Sequence, residues 1–264
     1  MKIICLVKFT PDVDQFQYDY EKNILIRENV KLGINPDDAC ALGFALGLKK
    51  KTPEVVIEAV TMGPLNVTAM MADILRRKVD LATILSDRQY VGSDTYATSR
   101  IIGKYLETAD YDVILTGSHS RDGDTAQIPG QLAEYLKLNQ ISQIRKIDQP
   151  SMLNKRALVE VDSEKYLETY EIPLPAILSV GRESNYRLPF VRYDDLDLDV
   201  SDRLRIIDND SLAVDSKKIG LKGSPTKVIK SYPIDYQKKE QVIVKNDDQG
   251  IDMVMAFLEK EGYL

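Results

Sequence analysis

The feature that most constrains this chain is a regular alternation between short apolar runs and longer stretches that are apolar on one side. The runs at 2–9, 55–62, 81–85 and 112–116 are strand-length and bounded by charge or by Gly and Pro. Runs of that kind, without polar residues at every second position, fit strands covered on both faces. Between them lie residues at helical spacing: Leu42, Ala45, Leu46 and Leu48; then Val67, Met70, Met71, Ile74 and Leu75; then Tyr96, Ile101, Ile102, Tyr105 and Leu106; then Ile128, Leu132, Tyr135 and Leu136. Strand and helix in strict succession imply an α/β fold with an open, mostly parallel sheet and helices on both faces.

The helix starts carry their own signals. Asn35 can cap the first helix with Pro36 at its first position, Ser93 or Asp94 can cap the third, and Asp124 or Thr125 a fourth opening near 125. Residues 16–27 alternate loosely around Glu21, Lys22 and Asn23 and predict a hairpin. Beyond Pro150 the rhythm changes: 157–161 and 167–172 flank a turn and predict an antiparallel hairpin, and 175–180 predicts another strand, all expected at the edge of the sheet. From Pro189 onward the chain is charged, with one last helix predicted at 253–258. We therefore divide the chain into an α/β domain, 1–190, and a C-terminal extension, 191–264, that lacks a core of its own and suits packing on another subunit.

Composition narrows the function. A formal charge of −6 argues against a nucleic-acid scaffold, which needs a basic face. No apolar run approaches the ~20 residues of a membrane span, and residues 1–8 lack the long apolar segment of a signal peptide, so the expected location is cytoplasmic. Cys5 and Cys40 are the two cysteines and His119 the one histidine, too few for a thiolate or histidine metal site. Neither a P-loop nor the Gly-x-Gly-x-x-Gly fingerprint follows the first strand.

In an open parallel sheet, ligands bind beyond the carboxyl ends of the strands, where the strand order reverses. Five loops belong to that edge: Lys8 and Phe9; Asn35 to Asp38; Met62 to Pro64; Gly92 to Thr95; and the turn that follows Thr116. A small polar turn that leads into a helix N-terminus offers backbone N–H groups to an anion. Asp122 and Asp124 could be a hydrolytic carboxylate pair, but two Asp beside Gly more often shape a turn. His119 is read as a loop residue lining a ligand, not as a general base. No catalytic nucleophile and no metal ligand is assigned.

These loops carry a family likeness. Val7 and Lys8, Asn35-Pro36-Asp37-Asp38, Thr61-Met62-Gly63-Pro64, the block Gly117, Ser118, His119, Ser120, Arg121, Asp122, Gly123, Asp124, Thr125, Ala126 and Gln127, then Leu132-Ala133-Glu134 and Leu174-Pro175-Ala176, stand in an order and spacing that resembles the electron-transfer flavoprotein beta subunit. The likeness covers most of 1–190. It implies a Rossmann-like, adenine-nucleotide-binding fold with an edge hairpin and a C-terminal arm. The function it implies is that of one half of a heterodimer whose alpha subunit carries the redox-active FAD. It also implies ligand loops at Leu6, Asn35, Pro36, Asp37, Asp38, Met62 and Gly117 through Ile128.

Members of that family differ in the beta-site nucleotide: many hold AMP, and those that bifurcate electrons hold a second FAD. Gly92 to Ser99, with Thr95 and Thr98, is similar to the FAD-holding branch, as are the Asp122–Gln127 block and the stretch 220–226, so FAD is expected with AMP as the alternative. The implied partners are the alpha subunit and a dehydrogenase or NADH as donor. Where many relatives continue in lysines after Pro189, this chain has Asp194, Asp195, Asp197 and Asp199, so the likeness names no docking partner. From a different class stands a self-contained ATP/AMP-binding module of universal-stress type, against which the long extension argues.

Overall fold

The computed structural model describes residues 1–11, 17–19, 24–26, 31–163, 165–227 and 242–263, and for 17–19 and 24–26 it describes the backbone alone. The chain divides into two compact units, Met1–Ile229 and Lys230–Leu264. In the first unit it runs β1 (Lys2–Leu6), β2 (Phe9–Pro11), β3 (Gln17–Asp19), β4 (Ile24–Ile26), β5 (Leu32–Ile34), α1 (Pro36–Lys51), β6 (Val56–Met62), α2 (Thr68–Arg76), β7 (Leu81–Leu85), α3 (Thr95–Leu106), β8 (Val113–Gly117) and α4 (Ile128–Leu136). It continues through β9 (Asn139–Ile147), α5 (Gln149–Leu153), β10 (Arg156–Asp162), β11 (Leu167–Pro173), β12 (Ala176–Val180), β13 (Leu204–Ile207), α6 (Asn209–Leu212) and α7 (Gly220–Gly223). The second unit holds α8 (Asp248–Lys260), capped by the Asp247 side chain, which accepts from Gly250 N.

Nine strands form one sheet in the order β11-β10-β9-β12-β8-β1-β6-β7-β13. All neighbours from β9 to β13 along that order pair in parallel, and the hairpin β10/β11 supplies the antiparallel edge. The alternation read from the sequence thus becomes an open, mostly parallel α/β sheet. The chain leaves β1 for β6 and β7 on one side, then returns to place β8 on the other. Crossovers of one hand put α1 and α2 on one face and, after the reversal, α3 and α4 on the opposite face.

Side-chain alternation records this directly. Ile3, Cys5 and Val7 join the buried cluster beneath α1 and α2, whereas Ile4 and Leu6 join the cluster beneath α3 and α4. Helix α1 is apolar nearly all round because it is covered twice. One side lies on the sheet; on another, Phe44 meets the Tyr186 ring at 5.1 Å, and a Cβ added at Gly43 would come 2.8 Å from the Arg187 carbonyl carbon. Double cover fixes the direction of the α1 axis and so the place of its N-terminus.

Two expectations need correction. The strand predicted at 175–180 is not at the edge: β12 lies between β8 and β9, fully buried, because after the β10/β11 hairpin the chain returns to fill the gap that β9 left beside β8. Strand β9 itself was not anticipated, since its sequence, with Gln140, Ser142, Gln143, Arg145 and Lys146, carries a weak apolar signal; it is held through parallel pairing with β12 and antiparallel pairing with β10. The hairpin predicted near 16–27 appears as the antiparallel pair β3/β4, and its connecting residues 20–23 lie outside the described residues. Past residue 190, β13 adds to β7. No helix among the described residues is long and apolar enough to cross a membrane.

Candidate functional site

The strand order reverses between β1 and β8, so the carboxyl ends of these two strands open the crevice where a parallel sheet takes its ligand. Three side chains at the start of α1 organise it. The carboxylate of Asp38 accepts from Lys8 N at 2.8 Å, past the end of β1, and from Gly117 N at 2.9 Å, the last residue of β8. One carboxylate therefore ties two strands to one helix. Burial pushes its pKa up to about 7, against the lowering effect of the N–H groups of Lys8 and Gly117 and of the Asn35 side chain.

Asn35 occupies the cap position of α1 without making a side-chain cap bond. Its amide instead reaches across: Nδ2 donates to the His119 carbonyl at 2.8 Å, and Oδ1 accepts from Arg121 N at 3.2 Å. Asp37 meets His119 at both its backbone N, 3.4 Å, and its ring Nδ1, 3.2 Å. Burial also raises the Asp37 pKa, with the neighbouring His119 opposing it. The close approach explains Gly117, because a Cβ there would lie 2.3 Å from Asp38 Oδ1, 2.7 Å from Asp37 Cβ and 2.8 Å from Asp38 N.

The turn after β8 is held from both strands. Lys8 Nζ pairs with Asp122 at 2.7 Å and reaches Ser120 Oγ at 3.4 Å. Although burial works the other way, that cation holds the Asp122 carboxyl below its ordinary range. Lys8, named in the sequence as a loop residue but not as a site residue, is thus part of the framework. Ser118 is buried, its hydroxyl between the Ser179 carbonyl and Gln143 N. Asp124 approaches His119 Nε2 at 3.6 Å, and Gly123, Thr125 and Ala126 are exposed.

The expected helix start near 125 is corrected: Asp124 and Ala126 are left-handed, with φ of 47° and 52°, and α4 begins at Ile128. Pro129 explains this, since a proline is accommodated in the first turn, where its missing N–H is not needed. Neither Asp124 nor Thr125 caps α4; its cap residue is Gln127, with no side-chain cap bond and no acid in the first turn.

On the α3 side the expectation holds: Asp94 caps the helix by accepting from Ala97 N at 3.0 Å. Thr95 Oγ1 donates to Gln127 Oε1 at 2.6 Å, joining the start of α3 to the last residue before α4. Thr98 is half-buried one turn further on. Nearby, Gln131 Nε2 reaches Thr95 Oγ1 at 3.5 Å, and the buried Gln131 Oε1 has no hydrogen-bond partner among the described residues. Leu6 and Met62 close the floor at the ends of β1 and β6, both on the α3/α4 face. Of the predicted residues, Asn35, Asp37 and Asp38 thus form one network with Gly117, His119 and Arg121, which Lys8 extends to Ser120 and Asp122 and His119 to Asp124, beside a smaller one in which Thr95 and Gln127 meet Gln131; Ser118 is held instead by Ser179 and Gln143. Among the described residues, no group of three His, Cys, Asp or Glu side chains could hold a metal ion.

Against known proteins, residues 22–189 match the model of the electron transfer flavoprotein domain. The chain is 32% identical to the electron transfer flavoprotein subunit beta of Thermoanaerobacterium thermosaccharolyticum over 264 residues, 98% of each protein. It is 32% identical over 236 residues, 88% of this chain and 87% of the relative, to the caffeyl-CoA reductase-Etf complex subunit CarD of Acetobacterium woodii. Protein FixA of Azotobacter vinelandii is 33% identical over 264 residues, 98% of this chain and 93% of the relative.

Proposed function

Since the chain belongs to the electron transfer flavoprotein family and serves electron transfer as a beta-type subunit, we propose that its crevice holds FAD, with AMP as the alternative, beside an alpha subunit that carries its own flavin. The observation that carries this reading is the start of α4. It opens at the strand reversal with no capping side chain and no acid of its own, which leaves the N–H groups of Ile128 and Gly130 and the positive helix end for a phosphate.

The rest of the donor set fits such a ligand. The Thr95 and Thr98 hydroxyls suit the diphosphate or the ribityl chain, and the orphaned Gln131 Oε1 suits a ribose or ribityl hydroxyl. Leu6 and Met62 offer apolar floor. When bound, FAD would supply the redox chemistry, taking electrons from a donor such as NADH or a dehydrogenase and passing them toward the alpha flavin; AMP would supply none and would serve as a structural ligand. In either case the protein's share is to bind, orient and exclude water. Asp38 and Asn35 hold the 117–122 turn in place, Lys8 holds Asp122, and Thr95 holds Gln127.

The universal-stress alternative is not favoured, because the relatives match along nearly the whole chain, the stretch beyond 190 included. A cytoplasmic heterodimer is the setting we propose, with bifurcation as the activity if FAD fills the site. The test is to co-express the chain with its alpha subunit, extract the purified complex and count nucleotides. Two flavins per heterodimer support FAD at this crevice, one flavin with one AMP supports the structural role, and one flavin with no second adenine nucleotide overturns the reading.

A further inference from the structure

The stretch 220–226 lies outside the sheet, yet it is fitted backbone to backbone against the loop that starts α3. Leu221 N donates to the Val91 carbonyl at 3.1 Å, and Gly220 N to Ser93 Oγ at 3.1 Å. Glycines make that approach possible. Gly220 has φ of +59°, and a Cβ on it would come 2.1 Å from the Gln89 carbonyl oxygen; on the facing loop, Gly92 has φ of +79° with Leu221 packed against it. Two segments about 130 residues apart are therefore shaped to each other.

Side chains then close the contact around one carboxylate. The buried Ser224 hydroxyl accepts from Asp94 N at 2.8 Å and donates to the Gly220 carbonyl at 2.7 Å. Thr226 gives both its backbone N, at 2.9 Å, and its hydroxyl, at 2.7 Å, to Asp94 Oδ2. The other oxygen, Oδ1, caps α3 through Ala97 N. Asp94 thus divides its two oxygens between the helix and the latch. These donors hold its carboxyl below the ordinary range although burial acts the other way.

The next residue is Thr95, whose hydroxyl is bound to Gln127, and Gln127 is the residue from which α4 departs. A shift of Asp94 would move Thr95, and through it the residue that fixes the uncapped helix end. We infer that Asp94, Ser224 and Thr226 are positioning residues for the nucleotide: by latching 220–226 onto the start of α3 they hold Thr95 against Gln127 and so set how long the ligand stays bound. This rests on the nucleotide reading above and adds to it a stretch far in sequence from every loop assigned to the ligand.

Asp94→Asn is the informative variant. An Asn side chain still caps a helix through its oxygen, but its NH2 group cannot accept from Thr226, so the latch opens while the cap stays. Thr226→Val removes the hydroxyl at similar volume, and Thr226→Ser restores it. As a control for general loss of stability, Asp80→Asn weakens the tether to Ile57 N and Lys49 at the opposite end of the strands, because it removes the charge and one of the two acceptor oxygens.

In the intact complex, the release of bound FAD or AMP is followed after dilution, together with the thermal midpoint. Asp94→Asn and Thr226→Val are expected to release nucleotide about tenfold faster, the scale of one charge-assisted hydrogen bond, with Thr226→Ser close to the parent. Asp80→Asn should lower the midpoint with release unchanged. A parent complex that holds nucleotide, paired with Asp94→Asn and Thr226→Val that release it at the parent rate, overturns the latch alone. A parent whose crevice holds neither FAD nor AMP overturns the latch and the nucleotide reading together.

Discussion

Helices α1 and α4 both start at the carboxyl edge of the sheet, one behind β1 and the other behind β8, and they use that position in opposite ways. The α1 start carries two carboxylates of its own, Asp37 and Asp38, both buried. They occupy the N-terminal end of the helix, Asp38 taking the N–H groups of Lys8 and Gly117 and Asp37 that of His119. The α4 start carries no acid and no side-chain cap. One helix end has been turned into a structural clamp, and the other has been left for a ligand. A helix N-terminus therefore says little about anion binding until its own first turn has been read.

The clamp can be broken most severely at Asp38. Asp38→Ala leaves the N–H groups of Lys8 and Gly117 without their acceptor in a buried place, and we expect a loss of about 2–6 kcal/mol, one to three for each orphaned donor. Urea unfolding of the complex measures it. A loss under 1 kcal/mol would mean that water replaces the carboxylate and that the clamp is not structural. Next in size is Gly117→Ala, whose Cβ would stand 2.8 Å from the backbone N of Asp38. Backbone cannot yield as a side chain tip does, so about 3 kcal/mol is expected, at the upper end of the cost of overpacking, with nucleotide lost as the two helix ends are forced apart.

The clamp also titrates. Its carboxyl, ordinarily at 3.8, is pushed up to about 7 by burial, so the folded protein holds that proton more tightly than the unfolded chain. Such a group contributes stability fully below pH ~4 and loses it as pH rises to ~7, by up to about 4 kcal/mol across the interval. The expected signature is in a difference: the stability of the parent minus that of Asp38→Asn falls between pH 4 and 7 and is flat above. A difference that rises with pH over that interval would show the ionised form to be the favoured one.

Much of this was legible beforehand because it is written in local patterns. Runs of Ile, Val and Leu gave the inner strands; Asn35 with Pro36, and Asp94, gave helix starts. What the sequence did not disclose comes from partners far along the chain. Strand β9 forms from Gln, Ser, Arg and Lys because β12 and β10 pair with it on either side, and β12 moves inward for the same reason. Asn35 looked like a cap and instead spans to His119 and Arg121. Ser224 and Thr226 carry no local signal for their contact with Asp94, which spans about half the chain.

The smallest expected effect on stability is also the sharpest test of the comparison: α4 can be given what α1 has. Gln127→Glu keeps the length of the side chain and an oxygen for the Thr95 hydroxyl to donate to, and adds a negative charge at the helix start. On the folded protein alone, a charge of that sign beside the positive end of α4 should be neutral or stabilising by about 0.3–1 kcal/mol. For an anionic ligand the same charge is repulsive and competes for the same N–H groups, so nucleotide affinity should fall about tenfold, a penalty of order 1.4 kcal/mol. Affinity must fall while stability does not. If stability and affinity fall together, the substitution has merely disturbed the turn; if affinity is unchanged, the phosphate does not rest on α4, and the difference between the two helix starts is a matter of packing alone.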